Sequence, residues 1–266
     1  MTTAVVLGPG GVVGTAWLAG LAAGLRRRDV DLGAADLLVG TSAGAIVAAA
    51  LARGADLERL ATLPDGPDEG VRPDPARLAE VFAVLGDQRL ERGEAVRRAG
   101  RIALAAATGD EATTVRRMRA MIGGDAWPRA RLLIPAVDAE TGEAVVWDRD
   151  GAASLPQAVA ASTAFPATAP PVTVAGRRYV DGALRAGTNT DLAGDADLLI
   201  VAEPMAHVTG PDGRAAGVRL VPDADAVAAI GPDLGDRARW APAFQAGLRQ
   251  AASAAPWEDA LRWARS

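Results

Sequence analysis

The 266-residue chain has no cysteine, no lysine and a single histidine. Without cysteine it has no disulfide, no thiol nucleophile and no thiolate metal site. All 28 basic residues are arginine, set against 33 acidic ones, and the net charge of −5 offers no footprint for a nucleic acid. Uniform arginine reflects coding bias before chemistry. Aromatics are only 4% of the residues although half are hydrophobic, and there are 30 glycines. A core built from such side chains brings backbones close together. No basic segment followed by an apolar one opens the chain as a secretory leader would. The longest apolar stretches, Val12–Leu25 and Leu37–Ala52, are Ala-rich and broken by Gly, Thr or Ser. They argue against a membrane span, and a cytoplasmic protein is expected.

What is present is an alternation of short apolar runs with helical patterns. Ala4–Leu7 reads as a buried strand, followed by glycines and a helix over Val13–Arg28. Leu37–Val39 reads as a second strand that runs into Gly40-Thr41-Ser42 and a helix to about Arg53. This succession is the start of a parallel α/β sheet. Pro64–Pro75 is a polar, turn-rich connection, and residues 75–124 read as helical, a cap-like insertion in one domain. Further strands are expected at Arg131–Val137, Glu143–Trp147 and Leu198–Val201, with a hairpin over Val172–Val174 and Arg178–Val180. The last forty residues read as helical and mostly peripheral.

Three local patterns carry chemistry. Gly40-Thr41-Ser42-Ala43-Gly44 fits G-x-S-x-G between a strand and a helix, which places a serine on a tight turn beside a positive helix end. Ser42 is either a nucleophile or a helix cap. His207, the one histidine, is a possible base but reads more readily as a surface or packing residue. An aspartate can serve as base instead if it is held against the hydroxyl in a partly dehydrated site. "LGPGGVVG", Leu7–Gly14, leaves N–H groups free to face a phosphate or an oxyanion. As a dinucleotide fingerprint it fails, because Val13 stands where a glycine is required and Asp29 and Asp31 do not follow a second strand. Asp181-Gly182, after a short strand, is by itself a turn signal.

Together, in this order and spacing, the three patterns resemble the patatin-like phospholipase family. The family combines a Gly-rich loop, a G-x-S-x-G turn and a later D-G-G or D-G-A, here Asp181-Gly182-Ala183. "ASTAFPATAPPV", Ala161–Val172, is similar to the family's segment before that aspartate, and the resemblance spans residues 4–192. It implies a three-layer α/β/α sandwich with a mainly parallel sheet and a Ser-Asp dyad without histidine. Ser42 is then the nucleophile of an ester hydrolase and Asp181 its base, with the N–H groups of Gly10, Gly11 and Ala43 facing the oxyanion. The family's loop reads G-G-G-x-R-G. Here Pro9 replaces the first glycine and cannot donate, and Val13 replaces the arginine and removes a cation.

The substrate class so implied is an acyl lipid or small ester, with no cofactor and no metal. The acidic residues Asp65, Asp68, Glu69 and Asp74 lack a calcium-loop pattern and read as a solvated connection. Met118, Met121 and Trp127 are candidates for an acyl entrance, though core packing is the favoured reading. Arg97, Arg98, Arg101, Arg116, Arg117 and Arg119 could touch an anionic membrane surface transiently, with a solvated helix face favoured. Two rivals remain from the sequence: a non-catalytic relative kept as a binding module, and a dinucleotide-binding protein.

Overall fold

The computed structural model describes residues 1–63 and 73–252. Asp65, Asp68 and Glu69 lie outside the described residues, whereas Asp74 caps the helix that follows by accepting from the Ala76 N–H at 2.9 Å. The chain runs β1 (Thr3–Leu7), α1 (Gly11–Arg26), β2 (Leu37–Gly40), α2 (Ala43–Ala52), α3 (Pro75–Leu85), α4 (Arg92–Ala105) and α5 (Glu111–Ile122). It continues through β3 (Arg131–Asp138), β4 (Ala144–Trp147), α6 (Leu155–Ser162), β5 (Val172–Val174), β6 (Arg177–Asp181) and α7 (Ala183–Ala186). Then come β7 (Leu198–Ala202), α8 (Ala206–Thr209), β8 (Val218–Leu220), α9 (Ala224–Ile230) and α10 (Trp240–Ala252).

The strands form one sheet in the order β5-β6-β3-β2-β1-β7-β8, with β4 added on β3. The pairs β3-β2, β2-β1, β1-β7 and β7-β8 are parallel, and the β4, β5 and β6 pairings are antiparallel. Alternation along the strands divides the core. Val5, Leu7, Leu38 and Ile200 join the main core with α1, α2, α6 and α10. Ala4, Val6, Val39 and Val201 face the other way, onto Leu192 and Ala193, while α4 covers Val137 and Val180. The result is a mixed α/β fold with a central sheet flanked by helices.

One expectation is overturned. The last helix is not peripheral: Trp240, Ala243, Phe244, Ala246 and Ala251 of α10 are buried in the main core. The helix lies against α1 backbone to backbone, and a Cβ on Gly20 would stand 2.0 Å from the Phe244 carbonyl oxygen. Small residues permit that approach. The buried positions Trp240, Ala243, Phe244, Gly247 and Ala251 recur at helical spacing, but amphipathicity alone does not say which element covers the face. Helices occupy Pro75–Leu85, Arg92–Ala105 and Glu111–Ile122 within 75–124. Met118 and Met121 belong to the main core, and half-buried Trp127 donates its indole N–H to the Ala153 carbonyl at 2.9 Å, as the core reading anticipated. Arg97, Arg98 and Arg101 gather on the Glu94 carboxylate at 2.9, 2.8 and 3.3 Å and hold it down at about 2. Arg116 bonds Thr113, and Arg119 pairs with Asp125.

Candidate active site

The register places the chemistry. Leu7 pairs with Gly40, so the glycine loop after β1 and the serine turn after β2 leave adjacent parallel strands at one level. The carboxyl ends of such strands are where α/β folds bind ligands. The two turns are stitched together: Thr41 N–H donates to the Leu7 carbonyl at 3.0 Å, and Gly44 N–H to the Gly8 carbonyl at 3.1 Å. A Cβ at Gly44 would lie 2.0 Å from the Leu7 oxygen, so glycine is required there for close approach.

Ser42 is held at φ 54° and ψ −120°, a conformation that costs a non-glycine residue about 1–3 kcal/mol. Its N–H donates to the Ser162 hydroxyl at 3.1 Å, which helps fix the strained peptide. The side chain makes no capping bond to α2. Instead Ser42 Oγ donates to Asp181 Oδ2 at 2.8 Å, across 139 residues of sequence.

Asp181 closes β6, paired opposite Ala136 of β3, and is 1% exposed. Its other oxygen, Oδ1, accepts from the Ala183 N–H at 2.8 Å. Burial pushes its carboxyl up to about 7, against the opposing pull of those two hydrogen bonds. A carboxyl tuned to neutrality is suited to taking and returning a proton. His207 lies on α8, exposed to solvent.

In the glycine loop, Gly10 precedes α1 and Gly11 adopts φ +63°. The Leu234 carbonyl accepts from the N–H groups of Val12 (2.8 Å) and Val13 (3.3 Å). Among the described residues, no hydrogen bond uses the N–H groups of Gly10, Gly11 or Ala43. Val13 is fully buried. The described residues contain no group of three or more His, Asp or Glu side chains able to hold a metal ion.

Two side chains in this neighbourhood carried no role in the sequence reading. Ser162 lies inside the quoted "ASTAFPATAPPV" and Asn189 inside "GALRAGTNTDLA"; both are fully buried. Asn189 bonds Thr41 and the Gly182 carbonyl, next to Ser42 and Asp181 in turn. A signal was present, since asparagine after Gly-Thr is a residue that tolerates the left-handed turn it adopts here. An open cleft of about 330 Å³ is lined by Leu85, Leu90, Val96, Phe165 and by Ala183 and Leu184, which follow Asp181-Gly182 in the chain, with Asp87, Gln88 and Arg92 also contributing.

A model of the patatin-like phospholipase family matches residues 5–193, most of the chain and every element of this site except the Leu234 carbonyl. The chain belongs to the patatin-like phospholipase family. Two solved structures of low similarity accompany that match. VipD from Legionella pneumophila shares 14% identity over 95% of this chain and 67% of its own, at a TM-score of 0.44. The type III effector protein ExoU shares 19% over 94% of this chain and 53% of its own, at a TM-score of 0.37. The chain thus spans about half the length of ExoU. No curated protein matches this patatin-like sequence. Among its described residues no helix is long and apolar enough to cross a membrane.

Proposed function

We propose that this chain is a serine esterase of acyl lipids, phospholipase A-like, working through an acyl-enzyme on Ser42. Family membership supports the lipid acyl hydrolase class, and one geometric observation carries the mechanism. The hydroxyl of a backbone-strained serine donates at 2.8 Å to a fully buried carboxylate raised to about 7. Ser42 Oγ attacks the ester carbonyl carbon as its proton passes to Asp181. The tetrahedral oxyanion rests on the unengaged N–H groups of Gly10, Gly11 and Ala43, each such donor typically contributing about 3–4 kcal/mol to the transition state. Collapse breaks the bond to the alcohol oxygen, which leaves with the proton from Asp181. A water then loses a proton to Asp181 and attacks the acyl-serine carbonyl. Collapse breaks the bond to Ser42 Oγ, which takes that proton back from Asp181 as the carboxylic acid leaves. The acyl chain lies in the cleft beside Ala183, against Phe165 and Leu184. Pro9 removes one backbone donor of the family's loop, and the N–H groups of Gly10 and Gly11 remain.

Fluorophosphonate labelling, with the adduct mapped, tests this on the wild type, Asp181→Ala and His207→Ala. The expected result is prompt modification at Ser42, lost in Asp181→Ala and within twofold of wild type in His207→Ala. Dependence on His207 would sink the dyad, and no labelling would favour a non-catalytic binding module.

A further inference from the structure

Asn189 sits at the junction of the two turns that bring Ser42 and Asp181 together. It is fully buried and left-handed, at φ 59° and ψ 37°. Its amide nitrogen donates to Thr41 Oγ1 at 3.1 Å, to the Gly182 carbonyl at 3.0 Å and to the Gly187 carbonyl at 3.0 Å. Its amide oxygen accepts from the Arg185 guanidinium at 2.8 Å, and that guanidinium is itself held by Asp191 at 2.8 and 2.6 Å. Arginine only donates, so its bond fixes which end of the amide is oxygen and turns the donors toward the two turns. Thr41 adjoins Ser42, and Gly182 adjoins Asp181. One side chain therefore touches the neighbour of each reacting residue.

We propose that Asn189, oriented by Arg185 and Asp191, is a positioning residue that clamps the serine turn to the aspartate turn and sets the Ser42–Asp181 distance. The proposal rests on the Ser-Asp reading above. The elements need such a part. Ser42 hangs from β2 and Asp181 from β6, strands that are not neighbours in the sheet, with β3 between them. No backbone ladder joins the two turns directly. A misplacement of about 1 Å at a reacting pair typically costs on the order of a hundredfold in rate.

The test measures the rate of fluorophosphonate labelling at Ser42 against pH, together with melting temperature, on the full chain. Asn189→Gly keeps the left-handed backbone available and removes the side chain that carries the amide. It should remain folded and label ten- to a hundredfold more slowly. The midpoint of its acid limb should rise above that of the wild type, because a slackened Ser42 hydrogen bond no longer lowers the Asp181 pKa. Thr41→Val removes the acceptor from the other side and should slow labelling about tenfold, whereas Thr41→Ser, which keeps the hydroxyl, should restore the rate. Labelling of Asn189→Gly within twofold of wild type at an unchanged midpoint would overturn the clamp. Should Asn189→Gly fail to fold, equal rates for Thr41→Val and Thr41→Ser would overturn it instead. Wild-type labelling that survives in Asp181→Ala would remove the dyad itself, a result that needs no Asn189 variant to detect.

Discussion

Asp181 couples the stability of the fold to the pH at which the site works. In the unfolded chain its carboxyl titrates near 3.8, and in the folded protein burial raises it to about 7. The folded state therefore holds the proton more tightly. The resulting stabilisation is complete below the unfolded value and is lost as pH rises through about 7. About three pKa units correspond to roughly 4 kcal/mol over the whole window, at 1.36 kcal/mol per unit. Between pH 5.5 and 8.5 the loss is about 2 kcal/mol. Asp181→Asn removes the titration and keeps the shape, with the amide oxygen able to accept from Ala183 and the nitrogen to donate to Ser42. Urea denaturation of both proteins at several pH values isolates the effect, because every other titration is shared. The unfolding free energy of the wild type should fall relative to the variant by about 2 kcal/mol from pH 5.5 to 8.5. Labelling at Ser42 in the wild type should rise through the same interval as Asp181, the proposed base, ionises. Parallel stability curves would refute the buried-carboxylate argument, and an acid limb centred near 4 would refute it independently.

Three further outcomes follow from the geometry. Ser42→Gly should abolish ester turnover while stabilising the protein by about 1 kcal/mol, since glycine tolerates the backbone held at φ 54°; an unchanged melting temperature would remove the strain argument. Gly44→Ala should cost about 3 kcal/mol or more by urea denaturation, because its Cβ would be driven to 2.0 Å from the Leu7 carbonyl; a loss under about 1 kcal/mol would show the seam to be adjustable. Leu184→Trp fills the cleft next to Ala183, so kcat/KM across p-nitrophenyl esters of increasing chain length should fall steeply for the long chains and little for acetate. An unaltered chain-length profile would place the acyl chain elsewhere.

The strands that position the site were legible because they are short apolar runs ending in glycine turns: Ala4–Leu7 and Leu37–Val39 differ from β1 and β2 by a single residue at one end. The chain's own periodicity was silent about the partner of Ser42. Asp181 is 139 residues away and reads locally as a turn, so only the resemblance brought the two together. β8 was missed because three residues, Val218–Leu220, carry too little alternation to register, and a parallel partner such as β7 is a tertiary fact. Ser162 and Asn189 were unassigned for a related reason. A buried hydroxyl and a buried amide look like ordinary turn residues until the fold reveals which backbone groups they serve.

The Leu234 carbonyl, which takes up the N–H groups of Val12 and Val13, lies outside the region matched by the family model. Which donors of the glycine loop stay unengaged is therefore decided partly by the chain's last third, through the connection between α9 and α10. A chimera joining residues 1–193 to the tail of another relative would inherit both Ser42 and Asp181 and yet carry a differently engaged loop. Divergence in the tail is thus a route by which relatives could alter catalytic power without any substitution among the residues by which the family is recognised.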